Sequence, residues 1–370
     1  MSLDKEIAAA RKEIVADGYD MSVGEIMNLY RDKEIVIDPS FQRLFRWTDS
    51  QKTRFIESLL LGIPIPPVFV VQSEKGVWEL IDGLQRLSTV FEFAGILRGD
   101  GDAVVPASSL GGTAFLPSLA GKRWEATTDQ TGDGIGKEQQ LQIKRARLRV
   151  EILKKESDPK AKFELFQRLN SGGANLTPQE VRNSVAVMLN PGLFDWLVQR
   201  SNDVNFKLTT AQTETALEQQ AGVELALRFF AFRNVPYTSG LDVHEYLDEA
   251  LEKMANNVAF PRQLEEEVFT KTFRWLSDAL GDRAFKKWNA QQQQFMGKFL
   301  MSGFEVTSVG VAANVVELDA MNPEARNAHL LSRVQAIWED DAFNANSGAG
   351  VRGTTRLANL LPMGQPFFAP

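Results

Sequence analysis

A change of period at a glycine constrains this sequence most. Val77-Trp78-Glu79-Leu80-Ile81 reads as a strand and runs straight into Asp82-Gly83. From Leu84 onward the apolar positions Leu84, Leu87, Val90, Phe91 and Ala94 recur at helical spacing. The unit is therefore strand, glycine turn, helix. Such a helix start offers unpaired N–H groups and the positive end of a dipole, which together seat a phosphate. Gly83 lets backbone approach a ligand closely, and Arg86 on the first turn can fork two donors onto phosphate oxygens. Asp82 can hold a magnesium ion or orient the arginine, and Gln85 can orient a water. Alone, Asp-Gly followed by arginine is a weak signal, because a capped helix with an Asp–Arg pair is the commoner occurrence.

The surroundings give more. A helix is expected from Leu3 to about Ala16, a short one from Val23 to Tyr30, and a strand from Glu34 to Asp38, closed by Pro39. Another helix, capped by Asp49 or Ser50 and striped with Phe55, Ile56, Leu59 and Leu60, is stopped by Gly62 and Pro64. After Pro64-Ile65-Pro66-Pro67, the strands Val68 to Val71 and Val77 to Ile81 form a hairpin around Ser73-Glu74-Lys75-Gly76. Residues 99 to 136 read as a long insertion of weak periodicity. Lys144 to Leu153 reads as a strand with Ala146, Leu148, Val150 and Ile152 on one face and Arg145, Arg147, Arg149 and Glu151 on the other. A helix from Pro159 to Leu169 breaks at Ser171-Gly172-Gly173, and Thr177-Pro178-Gln179-Glu180 starts the next with a capping box. From there to about His329 the pattern is helical, including Thr213 to Arg233 and Val243 to Met254, and a packed tail is expected after it. These patterns give an α+β fold, with an α/β domain over 1–175 and a helical domain over 176–370.

Charge limits the partners. The chain carries −7 in all and no cysteine, which removes thiolate catalysis, thiolate zinc sites and disulfides. From Lys137 to Arg168 ten Lys or Arg stand against five acids, leaving −12 for the remainder. Arg145, Arg147 and Arg149 on one strand face predict weak, salt-sensitive DNA contact. A solvated surface is the plainer account of such charge. No apolar run approaches the roughly 18 residues of a membrane span. The charged start, Met1 to Glu6, does not read as a signal peptide, and a cytoplasmic location is expected.

Two further segments join the Asp82 box. Phe41-Gln42-Arg43-Leu44-Phe45-Arg46-Trp47 sets two arginines and a glutamine among three aromatics, as a lid supplying cations and a stacking surface would. Phe166 to Thr177 puts Arg168 and Asn170 beside a Gly-Gly turn. With these the chain resembles the GmrSD restriction-endonuclease N-terminal domain family. The family's hallmarks are YQR-x-x-x-W, E-S-x-L-x-G-I-P-I-P-P, a DGQQR box and F-x-x-L-N-x-G-G-x-x-L-T-P-x-E. Here they stand as Phe41-Gln42-Arg43 with Trp47, Glu57 to Pro67, Asp82 to Arg86, and Phe166 to Glu180. Leu84 replaces a usual glutamine and Phe41 a common tyrosine, while Asp82, Gly83, Gln85 and Arg86 are retained.

The resemblance implies a ParB/sulfiredoxin-like core whose box binds, and in several members hydrolyses, a nucleoside triphosphate with Mg2+. Members commonly serve bacterial anti-phage defence, with turnover regulating a nuclease. Sulfiredoxin chemistry needs a cysteine and is excluded. His244 and His329 are the chain's two histidines; both fall on helical patterns outside any HNH-like setting, so an HNH site is not expected. The expected protein is an NTP-binding, NTP-hydrolysing regulator of a restriction-type system with a nuclease or ATPase partner. Asp82, Gln85 and Arg86 would act in catalysis, and Gln42, Arg43, Gly83, Arg86, Arg168 and Asn170 would hold nucleotide, with Asp82 also on the metal. The alternatives are a nucleotide-responsive DNA-binding switch without turnover, and a metal-dependent nuclease on the ParB-like core.

Overall fold

The computed structural model describes residues 16–37, 47–127, 132–154, 178–218, 220–348 and 350–370. The expected helix from Leu3, the end of the strand at Asp38, the segment Phe41 to Arg46, the helix from Pro159 and the Thr177 cap lie outside the described residues. The chain divides into two units, Met1–Asn175 and Leu176–Pro370.

The first unit runs β1 (Ala16–Ser22), α1 (Val23–Arg31), β2 (Ile35–Val36), α2 (Asp49–Leu61), β3 (Val68–Gln72), β4 (Trp78–Asp82), α3 (Leu84–Phe93), α4 (Lys137–Arg145) and β5 (Arg147–Leu153). Its five strands lie in the order β1-β5-β3-β4-β2. β3 pairs antiparallel with β4 and parallel with β5, so the sheet is mixed. The expected hairpin is present, with Val70 opposite Leu80. Along β5, Leu148, Val150 and Ile152 are buried while Arg147 and Arg149 are exposed, as period-two alternation requires.

Lys144 and Arg145 do not belong to that strand. They end α4, and Ala146, with ψ of 141°, turns the chain into β5. Burial of Gln140 and Ile143 holds this stretch helical, and Gln140 Nε2 donates to the Trp124 carbonyl at 2.6 Å. Arg145 therefore lies on a helix end rather than in an arginine row with Arg147 and Arg149. The cap of α2 also differs from expectation. Thr48, not Asp49 or Ser50, accepts from Gln51 N–H and forms a capping box with it.

The insertion is ordered where described. Leu110, Leu119, Trp124 and Ile135 are buried, Gly111 N–H donates to Thr53 Oγ1 at 2.9 Å, and Thr113 donates to Glu57. These bonds seat the excursion on α2. At its start the backbone N–H of Arg98 donates to the Tyr30 hydroxyl at 3.1 Å, and the Tyr30 ring stacks on Phe91 at 4.1 Å.

The second unit contains α5 (Pro178–Leu189), α6 (Pro191–Ser201), α7 (Val204–Thr210), α8 (Glu214–Glu218), α9 (Ala221–Asn234), α10 (Val243–Asn256) and α11 (Arg262–Leu280). A short ribbon follows, β6 (Lys287–Asn289) and β7 (Gln294–Met296). The unit closes with α12 (Met301–Ala313), α13 (Val315–Asp319), α14 (Pro323–Ala336), α15 (Asp341–Ser347) and α16 (Gly353–Phe368). Gln220, at φ 62°, interrupts the single helix expected over Thr213 to Arg233. A mixed sheet with helices, followed by a mainly helical unit, makes the fold α+β.

Packing in the second unit centres on phenylalanines. Phe229, Phe230, Phe269 and Phe273 are fully buried, with ring centroids 4.5–5.4 Å apart where they touch. The tail is helical. α12 and α16 meet at Gly310 and Gly364, where an added Cβ on Gly310 would stand 2.5 Å from the Gly364 carbonyl oxygen. Asn314 Nδ2 donates to the Gln365 carbonyl at 2.8 Å, next to Pro366 inside the helix.

A buried ionic chain crosses five of these helices. Arg182 on α5 meets Asp248 at 2.7 Å, His244 Nδ1 at 2.8 Å and Glu224 at 3.6 Å. Glu224 holds Arg228 at 2.7 Å, and the fully buried Glu305 accepts from Arg228 at 3.3 Å and from Arg356 at 2.7 Å. Burial pushes the Glu224 carboxyl up, but Arg228 and Arg182 outweigh it and hold the group below its ordinary 4.5. A depressed carboxyl stabilises the fold above its unfolded value and loses that contribution as pH falls through the folded one. The acid limb of the stability–pH profile is therefore expected to shift for Glu224→Gln, read by denaturant midpoints below pH 5. Glu305→Ala strands the Arg356 guanidinium and takes one of the two carboxylates from Arg228, and should cost about 3–5 kcal/mol by urea unfolding.

Candidate functional site

The site is built at the junction of β4 and α3. Asp82 ends β4 opposite Phe69, at a register shift between Phe69 and Val70. Gly83 then adopts φ 99° and ψ 11°, a left-handed conformation that favours glycine. Space demands glycine as well, since an added Cβ would lie 2.5 Å from Val68 Cγ1. α3 begins at Leu84 with no side-chain cap from Gly83, and its first closing bond is Leu87 N–H to the Gly83 carbonyl at 2.9 Å. The first-turn N–H groups lie ahead of that bond, with the dipole's positive end among them.

Arg86 fastens this junction to the loop before β3. Its Nη1 donates to the carbonyls of Pro66 and of Pro67, the latter at 2.9 Å. Its Nη2 lies 2.6 Å from Asp82 Oδ2. Both side chains are mostly buried, so this charge-assisted bond is shielded from water. The guanidinium thus spans a carboxylate and two neutral carbonyls, using the fixed fork that lysine lacks.

Gln85 reaches the other way. Its Oε1 accepts from the Trp47 backbone N–H at 3.0 Å. The Trp47 ring packs edge-on against Phe55 at 5.5 Å, tying the end of the Phe41–Trp47 segment to α2 as well. Lys52 on α2 meets Glu92 on α3 at 2.8 Å, a partly buried pair that clamps the two helices beside this contact.

Asp82, Gly83 and Arg86 thus meet at one junction, while the Gln85 side chain turns to Trp47. Gln42, Arg43, Arg168 and Asn170 lie outside the described residues. The arginine face changes more. Arg149 pairs with Glu151 at 2.9 Å and lies 3.7 Å from Asp20, Arg145 sits on α4, and Arg147 alone of the three stays exposed on the strand without a described carboxylate partner. His244 lies on α10 against Arg182, and His329 Nε2 is 3.2 Å from the Phe368 carbonyl. Among the described residues no group of three or more His, Asp or Glu is placed to hold a metal, and no helix is long and apolar enough to cross a membrane. Sequence reasoning missed the carbonyls of Pro66 and Pro67 and the Trp47 N–H. Backbone groups carry no signature of their own, although the diproline that aims two of them does.

Residues 23–187 match the model of the family described as GmrSD restriction endonuclease, N-terminal domain. Over those residues the chain is similar to that domain. No curated protein matches the chain. The description names a restriction endonuclease, an enzyme whose object is DNA. Two of the hallmark segments each meet the box through a contact of their own. The Ile63-Pro64-Ile65-Pro66-Pro67 exit presents the carbonyls that the arginine of the box takes up. The tryptophan of the first segment delivers its N–H to the box glutamine.

Gly83→Ala imposes both the left-handed strain and the Val68 overlap. A destabilisation of about 2–4 kcal/mol is expected, measured by chemical unfolding.

Proposed function

We propose that the GmrSD-type junction binds a nucleoside triphosphate and hydrolyses it with Mg2+, as a regulatory element of a restriction-type defence system. One observation carries this reading. The Phe41–Trp47 segment, rich in arginine and aromatic residues, is tied through Trp47 to Gln85 at the uncapped start of α3, beside the Asp82–Arg86 pair.

In this reading the first-turn N–H groups and Arg86 take phosphate oxygens, with Arg43, four residues before Trp47, as a second cation. Arg168 and Asn170 complete the nucleotide contacts, and Gln42 contributes from the same segment as Arg43. Asp82 suits a single attachment point for Mg2+, because Arg86 occupies Oδ2 while Oδ1 accepts from no described donor. The ion would neutralise charge on the phosphates and draw the rest of its shell from their oxygens and water. Gln85, held by Trp47, orients the attacking water. A nuclease or ATPase partner would carry the outcome of turnover to DNA. The second reading, a nucleotide-responsive DNA switch without turnover, is favoured only by exposed Arg147.

Phosphate release from each common nucleoside triphosphate, with and without DNA, is the direct test. Mg2+-dependent release is expected, and binding without release would favour the switch. Arg86→Ala should weaken nucleotide binding by at least about tenfold and should also lower stability, because the Pro66–Pro67 loop loses its fastener. Arg43→Ala should weaken binding without that loss. Unchanged affinity in both folded variants would remove the phosphate role.

A further inference from the structure

The β6–β7 ribbon stands out against the rest of the second unit. From Arg283 to Lys298 the chain holds Arg283, Lys286, Lys287 and Lys298 and no carboxylate, within a protein of net charge −7. Lys286 is met by Asp282 at 2.7 Å. Lys287 and Lys298 are exposed and pair with no described carboxylate, while exposed Arg283 donates to the Leu280 carbonyl at 3.0 Å and adds to the positive field on Asp282. Some surface lysines elsewhere in the unit are matched, as Lys271 is by Asp319 and Lys253 by Glu249, while Lys207 is exposed with no described carboxylate partner.

The register sorts the ribbon into two faces. Trp288 lies opposite Phe295, with rings 4.9 Å apart, and Arg283 lies over Phe295 at 5.8 Å. The other face carries Lys287 opposite Met296 and Asn289 opposite Gln294. Lys287, Gln294 and Met296 are exposed, as is the whole turn from Ala290 to Gln293. The stem is rigid at its base. Buried Phe285 packs on Phe299 and Phe304, and its carbonyl accepts from Leu300 N–H at 2.9 Å. An anchored two-stranded ribbon thus presents one cationic, amide-bearing face and a glutamine-rich tip to solvent.

We propose that this ribbon binds duplex DNA, with Lys287 and the exposed Gln294 facing the major groove, Arg283 and Lys298 on flanking phosphates, and Asn289 holding the turn by accepting from Gln292 N–H at 3.0 Å. A two-stranded ribbon fits the width of that groove, and amide side chains match adenine edges there. Four cations against the single carboxylate of Asp282 repel one another in the free protein, and a polyanion relieves this. The competing explanation is that the lysines merely blunt an exposed ribbon edge against aggregation. The proposal does not rest on nucleotide turnover.

The test uses the full chain and a short mixed-sequence duplex, with binding followed by fluorescence anisotropy across a salt series. The triple variant Arg283→Gln, Lys287→Gln, Lys298→Gln should lose at least about tenfold in affinity, and its log affinity against log salt should flatten by about 0.9 for each phosphate it no longer neutralises. Arg147→Gln should bind as the parent does. Gln294→Ala leaves the charges and the Asn289 turn contact in place and should reduce discrimination between duplexes of different sequence. Phosphate release without DNA should be unchanged in every ribbon variant, so a failed nucleotide reading would show there and not in the DNA curves. Identical DNA curves for parent and triple variant would overturn the proposal. So would triple-variant aggregation with unchanged DNA affinity, or ribbon-dependent binding to anionic vesicles without binding to DNA.

Discussion

The first unit depends on one guanidinium. Arg86 gathers the last side chain of β4 and the two carbonyls that precede β3, and so fixes where two neighbouring strands begin and end. Gly83 is held from the same side, because the start of β3 at Val68 approaches its α-carbon too closely for any side chain. The left-handed turn, the diproline and the arginine are thus parts of one joint. The open start of α3 follows from it, since a residue chosen for close approach and positive φ has no side chain with which to cap a helix.

The second unit is organised by a different device. Its aromatic core packs without polar help, but Asp248, Arg182, Glu224, Arg228, Glu305 and Arg356 link α10, α5, α9, α12 and α16 through alternating charges. Each buried charge in that chain is tolerable only because its neighbours are present, so the chain stabilises one helix arrangement against slipped ones. His244 joins at its edge, which gives the histidine a structural partner in place of the catalytic setting an HNH centre would need.

Much of this was legible in residue order wherever local chemistry decides conformation. The strand, glycine and helix at Val77–Ala94 follow from periodicity and one glycine, and the β3–β4 hairpin from its flanking turn. What escaped reading is set by partners distant in sequence. Ala16–Ser22 contains Asp, Gly and Ser without alternation, and it is a strand only because β5 pairs with it along its length. Lys144 and Arg145 alternate as though they were strand, yet burial of Ile143 keeps them in α4. The β6–β7 ribbon lacks a glycine or proline turn; Gln293 takes the left-handed position instead, at φ 51°. The tail helix contains Pro362 and Pro366, which local propensity would forbid, and close packing of α16 on α12 through Gly310 and Gly364 overrides them. Of the site, the side chains of the box were readable and their backbone acceptors were not.

The occupied state of Arg86 bears on what the site can do for an anion. An arginine free in solvent loses rotamer entropy when it meets phosphate, and that loss subtracts from affinity. Here the side chain is already fixed by three acceptors during folding, so a phosphate arriving at the start of α3 meets donors whose orientation is set. The geometry also limits how such an anion can be held. Both Nη1 bonds go to backbone carbonyls that cannot move without β3, so any rearrangement must fall on Nη2 and its bond to Asp82. A cation on Asp82 would weaken that bond from the carboxylate side, and an anion on Arg86 would weaken it from the other. Under the proposed reading, Mg2+ and phosphate would therefore favour one another at this pair.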